Sequence, residues 1–176
     1  MPHSLQTERL LLRPVTLRDA KPFWRALNDP YYTSMTGTWA YPFTPETVME
    51  RIRTGQRAGT VMHYWFSIIE GEELIGSGLF FGGDETSMEI GYAVARSCAG
   101  RGLASEAARA MCGFAFRTLK LKAVTARVSV ENPASIRLLE KLGFERQPGI
   151  GVGWTEHHRR ETPFYNYTLI GERFRP

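Results

Sequence analysis

Glu89-Ile-Gly-Tyr-Ala-Val-Ala-Arg-Ser-Cys-Ala-Gly-Arg-Gly-Leu-Ala-Ser-Glu-Ala107 reads as a strand, a short loop and the opening of a helix. Met88 to Val94 supplies the strand, and Gly100 and Gly102 punctuate the loop. Leu103 to Thr118 is alanine-rich and sets Leu103, Ala107, Met111 and Phe114 on one stripe at helical spacing. Glycine in such a loop permits positive φ and lets a ligand touch bare backbone. The helix behind it offers unpaired N–H groups and the positive end of its dipole. Together these can cradle a phosphate. Neither the Gly-Lys-Ser/Thr of a P-loop nor the G-x-G-x-x-G of a dinucleotide fold is present. Taken alone, the pattern also suits a plain tight connection.

Downstream, Val128-Ser-Val-Glu-Asn-Pro-Ala-Ser-Ile-Arg-Leu-Leu-Glu-Lys-Leu-Gly-Phe144 is a strand end, an Asn-Pro turn, a helix over Ala134 to Leu142 and a glycine stop at Gly143. Asn132 suits two roles, a helix cap or a partner for an amide-rich ligand. Ser135 falls in the first helical turn, where its hydroxyl can point beyond the strand ends.

Around these segments the chain alternates strands and helices. Leu10 to Val15 reads as a strand whose Pro14 belongs at an unpaired end or edge. Thr16 or Asp19 caps a helix running to Leu27, and Asn28-Asp-Pro30 stops it. An aromatic loop with Tyr31, Tyr32, Trp39, Tyr41 and Phe43 follows. Thr44-Pro45 opens a helix ending near Gly55 or Gly59. Tyr64 to Ile69 and Leu74 to Phe81 flank Glu70-Gly-Glu-Glu73 as a hairpin. Ala123 to Val130 alternates as a strand, and Tyr165 to Ile170 is the last one. The order is βααβββαβαβ, with room for one more strand between Phe144 and Thr155. That is a mixed α/β domain with a central mixed sheet flanked by helices, not a regular βαβ repeat.

The chain has 176 residues, 43% of them hydrophobic, which suits a single domain over residues 1–176. Its net charge of +4 comes without a dense Lys/Arg block, so no nucleic-acid partner is expected. Cys98 and Cys112 make no disulfide framework. No apolar run reaches membrane-spanning length, and the opening residues lack a signal-peptide core, so a cytoplasmic protein is expected. His63 and His157-His158 have no metal-ligand spacing, and no metal is expected.

The two central segments resemble the GNAT acetyltransferase superfamily. Its cofactor signature, Gln/Arg-x-x-Gly-x-Gly/Ala, matches Ala99-Gly-Arg-Gly-Leu-Ala104, and Asn-Pro-Ala-Ser through Glu-Lys-Leu-Gly-Phe144 looks like its second motif. The opening Thr7-Glu-Arg-Leu-Leu-Leu-Arg-Pro14, with Asp19-Ala20, is similar to the subgroup of ribosomal-protein alanine N-acetyltransferases. The resemblance implies acetyl-coenzyme A as co-substrate and an amine acceptor, either a protein N-terminus or a small molecule, in a monomer or homodimer. A non-catalytic acyl-coenzyme A sensor is the rival reading. Two positions depart from the pattern. Ala99 stands at the first signature position, and Leu139 stands where many relatives carry a tyrosine acid.

By this resemblance the pyrophosphate lies on the amides of Arg101, Gly102, Leu103, Ala104 and Ser105. The pantetheine arm follows the backbone of Ala93 and Val94, near Asn132, in a gap opened where strands 88–94 and 123–130 diverge. Arg96, Arg101, Arg137 and Lys141 are candidates for the phosphates, Arg101 foremost. Glu89 is the candidate base, with a rim carboxylate as the alternative. Alternation sets Glu89, Gly91 and Ala93 on one face, leaving room beside the carboxylate. An α-amine of pKa ~8 needs only ~1.4 kcal/mol to lose its proton at pH 7, against ~4.6 for a lysine, so a modest base suffices. Ser135 is the candidate hydrogen-bond donor or relay at sulfur. Trp39 is the candidate acceptor wall, or else core.

Overall fold

The computed structural model describes residues 4–57 and 60–175. In chain order the elements are β1 (Leu5–Gln6), β2 (Leu10–Pro14), α1 (Ala20–Leu27), α2 (Pro30–Thr36), α3 (Pro45–Thr54), β3 (Gln56–Arg57), β4 (Thr60–Glu70), β5 (Glu73–Phe81), β6 (Ser87–Val94), α4 (Leu103–Arg117), β7 (Ala123–Ser129), α5 (Pro133–Lys141), β8 (Glu145–Arg146), β9 (Gly151–Thr155) and β10 (Arg160–Ile170). The strands run β1-β2-β4-β5-β6-β7-β10-β8 across one sheet, with β3 on β4 and β9 on β10. Every pairing is antiparallel except β6 with β7.

Side-chain alternation divides β4 between two layers. Phe66 and Tyr64 meet Phe114 of α4 edge-on, at 5.9 and 5.3 Å between ring centroids. Trp65 turns the other way and meets Phe23 of α1 at 5.8 Å, where Trp39 and Phe43 complete an aromatic cluster. Gly78 lets α4 sit close to the sheet, since a Cβ there would lie 2.5 Å from the Met111 sulfur. A Cβ on Gly91 would meet Leu79 and Phe81 instead, so Glu89, Gly91 and Ala93 share the α1 face of β6.

Most elements lie where the sequence predicts, and the differences have local causes. Pro30 stops α1 but also opens α2, because Asp29 accepts a hydrogen bond from the Tyr31 N–H at 2.8 Å and caps it. The expected aromatic loop is therefore a helix followed by a shorter loop. Asp19 ends a 3-10 turn, Leu17–Asp19, before α1, and its carboxylate takes the Thr16 N–H at 2.7 Å. Pro14 sits opposite Phe66 of β4, beyond the reach of β1. The last strand begins at Arg160 and pairs with β9, which lies in the interval left for a further strand. Helix α3 stops at Thr54 with Gly55 at its cap, while Gly59 lies outside the described residues.

Candidate active site

β6 and β7 pair only through Ser87–Ala123, Met88–Val124 and Glu89–Thr125, then separate. Beyond Glu89 the backbone groups of β6 that face β7 have no strand partner. A cleft of about 420 Å³ opens at the split, lined by Glu89 to Val94 on one side and Ala126 to Val128 on the other. Its floor reaches the start of α4, and its far end is walled by α2 and the Trp39 loop.

The helix starts differ, and α1, which runs straight on from the Leu17–Asp19 turn, has no side-chain cap bond. Asp29, Thr44 and Asn132 cap α2, α3 and α5 with side-chain oxygens. α4 instead has Gly102 at its cap, at φ +79, and no side-chain cap. Its first intrahelical bond runs from the Glu106 N–H to the Gly102 carbonyl, so the amides before it are left for another partner. Gly100, Gly102, Leu103, Ala104 and Ser105 line the cleft. The one carboxylate of the first turn, Glu106, points away and is bound by Thr7 and Arg9, at 2.6 and 2.7 Å. An uncapped helix start with its acid neutralised elsewhere fits a phosphate group.

Of the four basic candidates, Arg137 and Lys141 line the cleft. Arg101, expected foremost, does not. Its guanidinium is held bidentately by Glu70 at 2.7 and 2.8 Å, outside the cleft lining. Arg96 lies over the Tyr31 ring, 5.8 Å from its centroid.

At the middle of the cleft, the Asn132 Oδ1 accepts from the Ser135 N–H at 3.1 Å. The capping role is therefore the one seen for that oxygen, and Asn132 is also part of the cleft lining. Ser135 Oγ lies 3.0 Å from the Tyr92 hydroxyl. Burial pushes the Tyr92 phenol well above its ordinary pKa, so it stays protonated and acts as a hydrogen-bonding group. Tyr92 escapes a sequence reading that follows the Glu89 face, because it points to the other side of β6. The Leu139 position, buried at the cleft wall, offers no hydroxyl.

Glu89 also reaches the cleft, but not alone. Arg127 of β7 donates through Nε to both carboxylate oxygens, at 2.9 and 3.0 Å. That pairing fixes where the Glu89 carboxylate points. Trp39 is both core and wall. It is 5% exposed, packs 4.5 Å from the Phe43 ring centroid and lines the cleft. Arg51 of α3 stacks on it, with Cζ 3.8 Å from the ring centroid, and donates to the Thr38 carbonyl. Burial draws the Arg51 guanidinium below its ordinary pKa, against the opposing pull of Tyr32 and Glu156. Nothing in sequence spacing joins Arg51 to Trp39 or Arg127 to Glu89.

Residues 9–145 match the family model of the acetyltransferase (GNAT) domain. An uncharacterised N-acetyltransferase of Bacillus licheniformis is 32% identical over 177 residues, spanning 97% of this chain and 98% of its own. Two solved structures share the fold at lower identity. A spermidine N-acetyltransferase of Vibrio cholerae, in complex with coenzyme A and spermine, superposes with a TM-score of 0.79 at 19% identity, covering 95% of this chain and 98% of that one. A ribosomal-protein alanine acetyltransferase of Vibrio fischeri superposes with a TM-score of 0.78 at 16% identity, covering 99% and 100%.

Proposed function

Since the chain belongs to the GNAT acetyltransferase family, we propose that it moves an acetyl group from acetyl-coenzyme A directly to a primary amine, either a protein N-terminal α-amine or that of a small molecule. The whole chain acts as one catalytic unit. The observation that carries the reading is the uncapped start of α4 in the lining of the cleft between β6 and β7. Acetyl-coenzyme A supplies the activated thioester, and the protein supplies everything else. The amides of Gly102 to Ser105, with that of Arg101, hold the pyrophosphate, with Arg137 and Lys141 beside it. The edge of β6 that faces away from β5 at Ala93 and Val94, and the Asn132 NH2, hold the pantetheine arm.

Glu89 takes a proton from the incoming ammonium, directly or through water, while Arg127 holds its carboxylate in place. The neutral amine forms the C–N bond as the C–S bond breaks. The second amine proton balances the thiol, with Ser135 Oγ donating a hydrogen bond at sulfur and Tyr92 backing Ser135. Trp39 walls the acceptor. An α-amine asks ~3 kcal/mol less of Glu89 than a lysine. Coenzyme A release, followed with acetyl-coenzyme A and a panel of α-amines, lysine peptides and small amines, tests the proposal. Turnover with any of them supports transfer. Tight binding without turnover for all of them supports a sensor instead.

A further inference from the structure

Arg51 gives the acceptor end of the cleft a charge with no ion-pair partner among the described lining residues. It extends from the last turn of α3 into the wall formed by Tyr32, Met35, Thr38 and Trp39. The Arg51 Cζ lies over the Trp39 ring, 3.8 Å from its centroid, and the Thr38 carbonyl takes one of the guanidinium N–H groups. A guanidinium has five N–H donors, so it keeps others beyond the one given to Thr38 for a planar acceptor. Among the ion pairs of the described residues none includes Arg51. Glu156 is near enough to act on it through space, but that carboxylate accepts from the Trp154 indole N–H at 3.0 Å and is not part of the cleft lining.

The rest of the lining sharpens the contrast. Its described residues include Arg51, Arg127, Arg137 and Lys141, and the single carboxylate Glu89, which Arg127 already engages. A polyamine or aminoglycoside would bring further ammonium groups to a wall that offers them no free carboxylate. An amine bearing a carboxylate would meet the Arg51 edge while presenting its nitrogen toward Glu89. We infer that Arg51 forms an anion subsite that selects acceptors carrying a carboxylate in addition to the amine. The inference rests on the acetyl-transfer reading and narrows its acceptor class. The carboxylate can be the C-terminus of an amino acid or short peptide, or an acidic side chain beside a protein N-terminus.

The test compares matched pairs. An amino acid, a dipeptide and a tripeptide are each assayed as free acid and as amide. Ala-Glu-amide is compared with Ala-Gln-amide, and spermidine is included. The wild-type protein should favour at least one acid over its neutral partner by about 10- to 100-fold in kcat/KM. The pair that responds tells a terminal carboxylate from a side chain. Arg51→Met should raise KM for that acid by a similar factor, with kcat changed less than about twofold and KM for the amide unchanged. Arg51→Lys should fall between, since it keeps the charge and loses the fork. Equal use of acids and amides by the wild type, or spermidine as the best acceptor, overturns the inference. So does an equal rise in KM for acid and amide in Arg51→Met, which would leave Arg51 only bracing Trp39. If Arg51→Met does not fold, the wild-type pairs and Arg51→Lys decide. If no amine turns over, the transfer reading fails by itself. Calorimetry of the same pairs on the coenzyme A-loaded protein then decides the subsite, with tighter binding of an acid supporting it and equal binding overturning it.

Discussion

Gly100 offers a direct probe of whether a ligand lies against the loop before α4. It sits at φ +77, and a Cβ built on it meets no heavy atom within 4 Å although the residue lines the cleft. Gly71, in the β4–β5 turn, has φ +60 and equally open surroundings, but lies outside the cleft lining. Alanine at either position bears the same left-handed backbone penalty, roughly 1–2 kcal/mol. For a chain of this size that lowers Tm by about 2–8 °C. Gly71→Ala should do nothing else. Gly100→Ala puts a methyl group where the phosphates are proposed to lie, and should weaken coenzyme A binding at least about tenfold, or ~1.4 kcal/mol. Scanning calorimetry for both variants and titration calorimetry with coenzyme A read the two effects separately. Matching Tm shifts with an unchanged Kd in Gly100→Ala would refute the placement of the phosphates. An equal loss of affinity in Gly71→Ala would show that the effect is global.

Other outcomes follow from single contacts. Ser135→Ala and Tyr92→Phe should each lower turnover about tenfold without changing coenzyme A affinity, and the double variant should be little worse than either, because the two hydroxyls act through one hydrogen bond. Additive losses would separate them. Glu89→Gln should lower turnover more at pH 7 than at pH 9, and more for a lysine-like acceptor than for an α-amine, by up to ~3 kcal/mol. Full activity at pH 7 with both acceptors removes Glu89 as the base. Arg137→Ala and Lys141→Ala should weaken coenzyme A binding and flatten its salt dependence, while Arg101→Ala leaves both unchanged because its guanidinium serves Glu70. A flattened slope in Arg101→Ala would mean that the Glu70 pairing gives way to the cofactor.

A last prediction concerns acid stability. Burial opposes ionisation of Asp19, but hydrogen bonds from Arg13 and Thr16 outweigh it and hold its carboxyl below the ordinary range. The stabilisation is therefore complete above the unfolded carboxylate value, near pH 4, and is lost as pH falls through the lower folded value. Asp19→Asn should cost roughly 1–3 kcal/mol at pH 7, a modest figure because the Arg13 side chain is 35% exposed. The gap from wild type should close as the pH is lowered below about 4 in urea titrations.

Local patterns in this chain were legible wherever a short segment decides its own conformation. The alternation in Ala123 to Val130 and the Gly143 stop reappear as β7 and the end of α5. Among the described residues, α2 is a helix that the sequence reading lacks, although it carries the same signal as α5. Asp29-Pro30 caps a helix as Asn132-Pro133 does, but the run of aromatic residues after it hides the periodicity.

By itself, then, the amino-acid order determined the mixed α/β architecture, the glycine loop ahead of α4 and the family resemblance, because each depends on residues a few positions apart. Only the tertiary structure decided how side chains are shared across the chain. Glu70 claims Arg101 from 31 residues away, Arg127 engages Glu89 across the parallel pair, and Tyr92 reaches Ser135 on α5. Charges and hydroxyls take whichever partner the packed sheet brings within about 3 Å. That competition is settled by strand order and helix placement, which no local spacing encodes.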